Sequence, residues 1–272
     1  MGTTLVDRTA VVAALDSVWT TIDDLVADLD DAGWQTSSPL PGWAVADLVA
    51  HIIGTERFLL GEQPPEPATD VTALDHVRND IGALNEKWIL HYRAQGTARL
   101  LADYRQVTAT RRAQLADATD ESFAVQGFTP AGPDTYGRFM RIRVFDCWMH
   151  ELDIRDALGL SAPSDAATAG VAYEEIASIM PYIVGKKAGA PDGSAVRVTV
   201  SGLLARDIGV AVDGRAALVP ALDREPDVAL DCDTVEFARL TGGRGGADPT
   251  AVTVSGNADL AAAIIASLAF TI

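Results

Sequence analysis

The stretch that decides the fold is Asp146-Cys147-Trp148-Met149-His150-Glu151-Leu152-Asp153-Ile154-Arg155-Asp156-Ala157-Leu158-Gly159. It reads as the end of a long helix, with a glycine placed to close it. Asp146 and His150 stand four residues apart, so on that helix they rise from one face, one turn apart. A carboxylate and an imidazole at this spacing can share one divalent metal, provided a third ligand comes from elsewhere. The chain has four histidines, His51, His76, His91 and His150. His51 lies on an earlier apolar stretch, and helical bundles place metal ligands on facing helices directed into the core. The spacing therefore points to an open three-ligand site of His51, Asp146 and His150. The competing reading makes both histidines ordinary core or surface residues and pairs Asp146 with a neighbouring arginine such as Arg143. His76 and His91 have no partner at ligand spacing and are read as structural.

Outward from this helix, the N-terminal part reads as a bundle. Val12, Leu15, Trp19, Ile22, Val26 and Leu29 form a helical stripe across Thr9–Asp31, which Gly33 is expected to end. A second helix is expected over Ala44–Leu60, further ones over Thr72–Tyr92 and Arg99–Ala118, and another from Pro163 to about Val184. Gly185–Ser194 is a linker by composition. Beyond it Val196-Val198-Val200, Ile208-Val210-Val212, Val228-Leu230-Cys232 and Val252-Val254 alternate with period two, the mark of strands with one buried face in an antiparallel sheet. Helices over Thr234–Thr241 and Ala258–Ala269 would cover it. The expected architecture is multi-domain: an up-down helical bundle over 1–187, then a small α+β domain over 195–272 with a mainly antiparallel sheet.

Apolar residues make up 48% of the chain and charged ones 22%, which favours globular folding over disorder. The formal charge of −17 argues against nucleic acid and anionic membranes, because no basic surface is available to displace counterions. The opening MGTTLVDRTA has no basic start and apolar core, so a signal peptide is not expected. The apolar run LAAAIIASLAFTI is too short to span a bilayer. Two cysteines without a CxxC pairing fit buried thiols in a reducing cytoplasm.

The segment WQTSSPLPGWAVADLVAHIIGTERFLLG, with Pro41-Gly42-Trp43 leading into Asp47-x-x-x-His51, resembles the first signature of the mycothiol-dependent maleylpyruvate isomerase family, a branch of the DinB-like metal-binding bundles. DCWMHELDIRDALG resembles the second, and the C-terminal segment is similar to the family's sterol-carrier-like domain. The resemblance implies zinc held by His51, Asp146 and His150, and mycothiol as the thiol. The thiolate would isomerise or S-conjugate a small electrophilic, carboxylated substrate, in a monomer or small homo-oligomer.

The resemblance further suggests that Arg244, in LTGGR, faces the site across the domain boundary and clamps a substrate carboxylate. Asp153, three residues after His150, shares its face and is a candidate to hold a ligand ring; pairing with Arg155 or Arg143 is the alternative. Arg155 is read as a structural salt bridge, with anchoring of a substrate carboxylate as the alternative, and Cys147 points about 100° away from Asp146 and is not read as a ligand.

Two departures from the resemblance stand out: the best-known member type carries Glu where this chain has Asp146, and the turn often offers Thr where Ala44 would cap the second helix. A lost cap costs about 1 kcal/mol, which Asp47 in the first turn offsets in part through the helix dipole. Two other readings compete with the mycothiol enzyme. One is a DinB-like metal protein using another thiol or simple hydrolysis; the other is a non-enzymatic lipid-binding protein with its pocket in the C-terminal domain.

Overall fold

The computed structural model describes residues 3–271, which form two compact units meeting at Pro163 and Ser164. In the first unit, helix α1 (Arg8–Val26) starts where the Asp7 carboxylate accepts the Ala10 N–H, and buries Val11, Leu15, Val18, Trp19, Ile22 and Val26 along one stripe. A single turn, α2 (Asp31–Trp34), follows. Gly33 lies inside this turn rather than ending α1, because Asp30 caps a new turn through the Gly33 N–H.

Helix α3 (Val45–Leu59) carries His51. The helix expected over Thr72–Tyr92 is shorter: a 3₁₀ turn spans Val71–Ala73, and α4 (Asp80–Arg93) begins only where the Asn79 side chain accepts the Gly82 N–H. Next come α5 (Thr97–Ala116), the short α6 (Asp120–Phe123) and a two-residue ladder of β1 (Gln126–Gly127) with β2 (Asp134–Thr135).

The long α7 (Tyr136–Leu158) starts at a Thr135 cap and stops at Gly159, whose φ of 65° is the left-handed conformation that residues with a side chain rarely adopt. Helix α7 packs on α1 and α3, and α3 also packs on α4 and α5. Val144, Phe145, Cys147, Trp148, Met149, Leu152 and Ile154 are buried around α7, so it runs through the core on nearly all sides. Each such side chain contributes about 1.5–3 kcal/mol by leaving water. A helix buried all round also buries its polar residues, which must then find partners. That requirement builds the site.

In the second unit α8 (Ala166–Pro181) continues into a π-helical turn, Tyr182–Lys187. This is a change from the expected division at 187–195. Helix α8 belongs to the second unit because it packs on its strands, with Tyr173 donating to the Thr234 carbonyl and Arg206 paired to Glu174 at 2.7 Å. The front of the expected linker is likewise ordered, with Lys187 Nζ donating to the carbonyls of Ser267 and Ala269.

The five-stranded sheet comprises β3 (Ala195–Ser201), β4 (Arg206–Asp213), β5 (Arg215–Val219), β6 (Val228–Asp233) and β7 (Thr253–Gly256), in the order β5-β4-β3-β6-β7. It is mainly antiparallel, as expected, with one parallel pair: β3 and β6 run parallel, with Val198 opposite Leu230, because the chain returns to the far side of β3 after the β4–β5 hairpin. Val196, Val198, Val200, Ile208, Val210 and Leu230 are buried, with α8, α9 (Thr234–Thr241) and α10 (Ala258–Ala266) packed against the strands. Among the described residues no helix is long and apolar enough to cross a membrane.

Candidate metal centre

His51 on α3 and Asp146 and His150 on α7 meet inside the first unit. One ligand atom from each lies within 4.8 Å of the others, a grouping found among the described residues. Asp146 Oδ1 stands 3.4 Å from His51 Nε2 and 3.5 Å from His150 Nε2. Both separations are close to the roughly 3.4 Å edge of a tetrahedron with zinc–ligand bonds of about 2.1 Å. The donor set, two imidazoles and a carboxylate, is one that zinc accepts with a coordination position left open. The residues fit the metal.

The imidazoles are 8% and 6% exposed, whereas 29% of the Asp146 side chain reaches solvent, so the cluster opens on its carboxylate side. His150 is oriented from behind: its Nδ1 contacts Asp153 Oδ2 at 3.0 Å, and Asp153 is fully buried. A proton on Nδ1 leaves Nε2 free as a donor atom toward the cluster. Of the two partners weighed for Asp153, the ligand ring is thus in contact. Arg155 pairs instead with Glu151, at 2.8 Å.

The charges are strongly coupled. Burial opposes ionisation of Asp146, but His51, Arg143 and His150 outweigh it and hold the carboxyl well below its usual range. Burial lowers the pKa of His51, against the raising effect of Asp146. Burial also acts against charge on His150, yet Asp146 and Asp153 together raise it. The Cys147 thiol is pushed up to about 12 by burial and stays protonated.

Glu56, Arg111, Glu86 and Arg93 were missing from the sequence reading. Arg143 does pair with Asp146, as the competing reading had it, but it does so beside the histidines and not in place of them. Its Nε donates to Glu56 Oε1 at 2.9 Å, and Arg111 Nε donates to Glu56 Oε2 at 2.9 Å. The Trp43 ring lies 5.5 Å from that of His51 and 6.2 Å from that of His150, forming a wall over both. Its Nε1 donates to the buried Glu86, which also contacts His76 Nε2 at 2.7 Å, so His76 helps anchor this wall. The Pro41-Gly42-Trp43 turn was the available signal for Trp43. The missing Ala44 cap is compensated: Asp47 accepts the Ala44 N–H at 2.8 Å and is itself gripped by Arg93.

Arg244 belongs to the second unit. It is buried there, with Nη1 donating to the Gly242 carbonyl at 2.8 Å.

The model of the mycothiol maleylpyruvate isomerase N-terminal domain matches residues 15–155, more than half of the chain. The chain belongs to the mycothiol maleylpyruvate isomerase family. The model of the family's C-terminal domain matches residues 171–263. Two uncharacterised proteins of Mycobacterium tuberculosis, from strains CDC 1551 and H37Rv, are each 28% identical over 152 residues. That match covers 56% of this chain and 58% of each relative, so the chain spans less than two thirds of their length. The fold matches the crystal structure of the mycothiol-dependent maleylpyruvate isomerase with a TM-score of 0.59 at 15% identity, over 92% of this chain and 93% of that one. A histidine-to-alanine mutant of that enzyme matches at 0.57 and 14%. At this identity the likeness shows the shared fold.

Proposed function

We propose that this family member is a zinc-dependent enzyme that uses mycothiol to isomerise or S-conjugate a small, carboxylated electrophile. The observation that carries the reading is the convergence of His51, Asp146 and His150 donor atoms within 4.8 Å, in the unit that matches the family model. Those three residues would hold the zinc, which when bound supplies a positive charge that favours the thiolate form of a thiol at neutral pH. Asp153 is assigned a positioning role: by engaging His150 Nδ1 it fixes which ring nitrogen faces the cluster. Trp43 covers both imidazoles and excludes water from that side. Arg244 is our candidate for the substrate carboxylate, since a guanidinium presents paired donors to two carboxylate oxygens.

The substrate class follows from the thiol. An activated carbon–carbon double bond accepts the sulfur, and its former double bond rotates. Loss of the thiolate from the resulting enolate restores the double bond as the isomer, whereas protonation of that enolate by water gives the S-conjugate. On the second unit an open cavity of about 460 Å³ is lined by both charged residues, Arg197, Asp207, Asp223, Arg224 and Glu225, and uncharged ones such as Pro220, Ala221 and Leu222.

The test is zinc-loaded protein with mycothiol and maleylpyruvate, followed by ultraviolet absorbance. Turnover that requires the thiol and disappears in His51→Ala is expected. Equal turnover without any thiol would replace this reading with hydrolysis, and no conversion of any electrophilic acid to isomer or conjugate would overturn it.

A further inference from the structure

Behind Asp146 lies a chain of charges that the proposed chemistry does not use. Glu56 on α3, Arg111 on α5 and Arg143 on α7 are each no more than 2% exposed. Glu56 offers one oxygen to each arginine, at 2.9 Å in both cases. The guanidinium of Arg143 spans two carboxylates, donating from Nε to Glu56 and from Nη1 to Asp146 Oδ2. Two arginines, Glu56 and Asp146 sum to zero charge, which is what a buried set needs. Oδ2 of Asp146 takes the Arg143 donor from behind and also lies 3.1 Å from His51 Nε2, while Oδ1 is the oxygen within reach of both rings, 3.4 Å from His51 Nε2 and 3.5 Å from His150 Nε2.

We propose that Glu56 and Arg143 form a positioning brace that reserves Asp146 Oδ2 and limits Asp146 to a single-oxygen contact, through Oδ1, with a bound cation. The inference rests on the metal reading above and adds to it a coordination mode and two residues that touch neither metal nor substrate. A short carboxylate such as Asp146 swings between one-oxygen and two-oxygen binding unless something holds it, and a two-oxygen contact would fill the position an incoming thiol needs. Glu56 matters because it shares the charge of Arg143. Without it the guanidinium relies on Asp146 alone, and the core beside the cation site carries an uncompensated positive charge.

The test uses the full chain loaded with Co²⁺, whose visible absorption is intense in four-coordinate sites and weak at higher coordination. Binding is measured by competition against a chromophoric chelator, and folding by far-UV circular dichroism. Arg143→Met leaves the Glu56–Arg111 pair intact and frees Oδ2, so its Co²⁺ bands are expected to weaken and shift toward higher coordination. Arg143→Lys, which keeps the charge but loses the fork, is expected to move the spectrum the same way. Glu56→Gln is expected to weaken Co²⁺ and Zn²⁺ binding by about tenfold or more, as is typical when a residue supporting a ligand is lost.

A folded Arg143 variant with the wild-type spectrum would overturn the single-oxygen claim. A folded Glu56→Gln variant with affinity within about twofold of wild type, well short of that range, would overturn the role of Glu56. If Glu56→Gln does not fold, Glu56→Asp, which keeps the charge but shortens its reach to Arg143, is held to the same affinity criterion. Wild-type protein that binds no Co²⁺ or Zn²⁺ would instead defeat the metal reading itself.

Discussion

Gly54 lies on α3 three residues after His51, where α3 meets α4, and replacing it with alanine sets two effects against each other. In a helix interior alanine is favoured over glycine by about 1 kcal/mol. Here, however, an added Cβ would stand 2.5, 2.6 and 2.7 Å from Cγ, Cδ1 and Cβ of Trp88. These are the root of a buried indole and not the tip of a flexible chain, so α3 and α4 must separate. Overpacking of this kind costs about 1–3 kcal/mol, and values near the upper end apply because three ring and stem atoms are struck at once. The net expectation is a loss of about 1–2 kcal/mol, or a melting point lower by about 2–8 °C.

All five tryptophans belong to the first unit, so tryptophan fluorescence during urea unfolding reads this unit selectively. Gly54→Ala should shift the midpoint downward at constant slope, and adding Trp88→Leu, which removes the obstructing ring, should recover part of the loss. A Gly54→Ala protein as stable as wild type, or more stable, would refute the close-approach argument.

Two further outcomes follow from buried carboxylates. Asp153→Asn keeps the shape of the residue behind His150 but removes its charge. Zinc affinity should fall by about 10–100-fold in a chelator competition, and an unchanged affinity would show that Asp153 does not orient the ring. Asp134 accepts from the Thr4 N–H and hydroxyl, the Thr135 N–H and Arg138. Burial opposes its ionisation, but these bonds prevail and hold its pKa below the usual range. A depressed carboxylate stabilises the fold fully above the unfolded value, near pH 4, and loses that contribution as pH falls further. Asp134→Asn should therefore cost about 1–3 kcal/mol at pH 7, with the gap to wild type narrowing below about pH 4. Melting curves from pH 7 to pH 2.5 check this, and a gap that stays constant with pH would contradict it.

The cluster of His51, Asp146 and His150 was legible because helical spacing is local information: Asp146 and His150 announce a shared face, and Gly159 announces where that helix ends. His51 required only that a second helix pack against the first. Arg143 was legible as a partner of Asp146, but the rest of the buried charge chain was hidden because Glu56 and Arg111 are written like any surface charge. Their partners lie 55 and 87 residues away, and only burial in the core separates them from solvated side chains. The late start of α4 turns on which of several polar residues caps it, and Asn79 competes in the sequence with Asp70, which caps the 3₁₀ turn instead. Strand β5 was missed because Arg215–Val219 lies at the sheet edge with its residues largely exposed, so no apolar alternation marks it. The parallel β3–β6 pair is a property of chain return across the sheet, which the period-two pattern does not encode.

The metal centre itself is tested most directly by the metal content of freshly purified protein, measured by mass spectrometry for wild type, His51→Ala and His150→Ala. Near-stoichiometric zinc in wild type and its loss in both variants is the expected result. Wild-type protein without bound metal, even after zinc is restored and excess removed, would contradict the account.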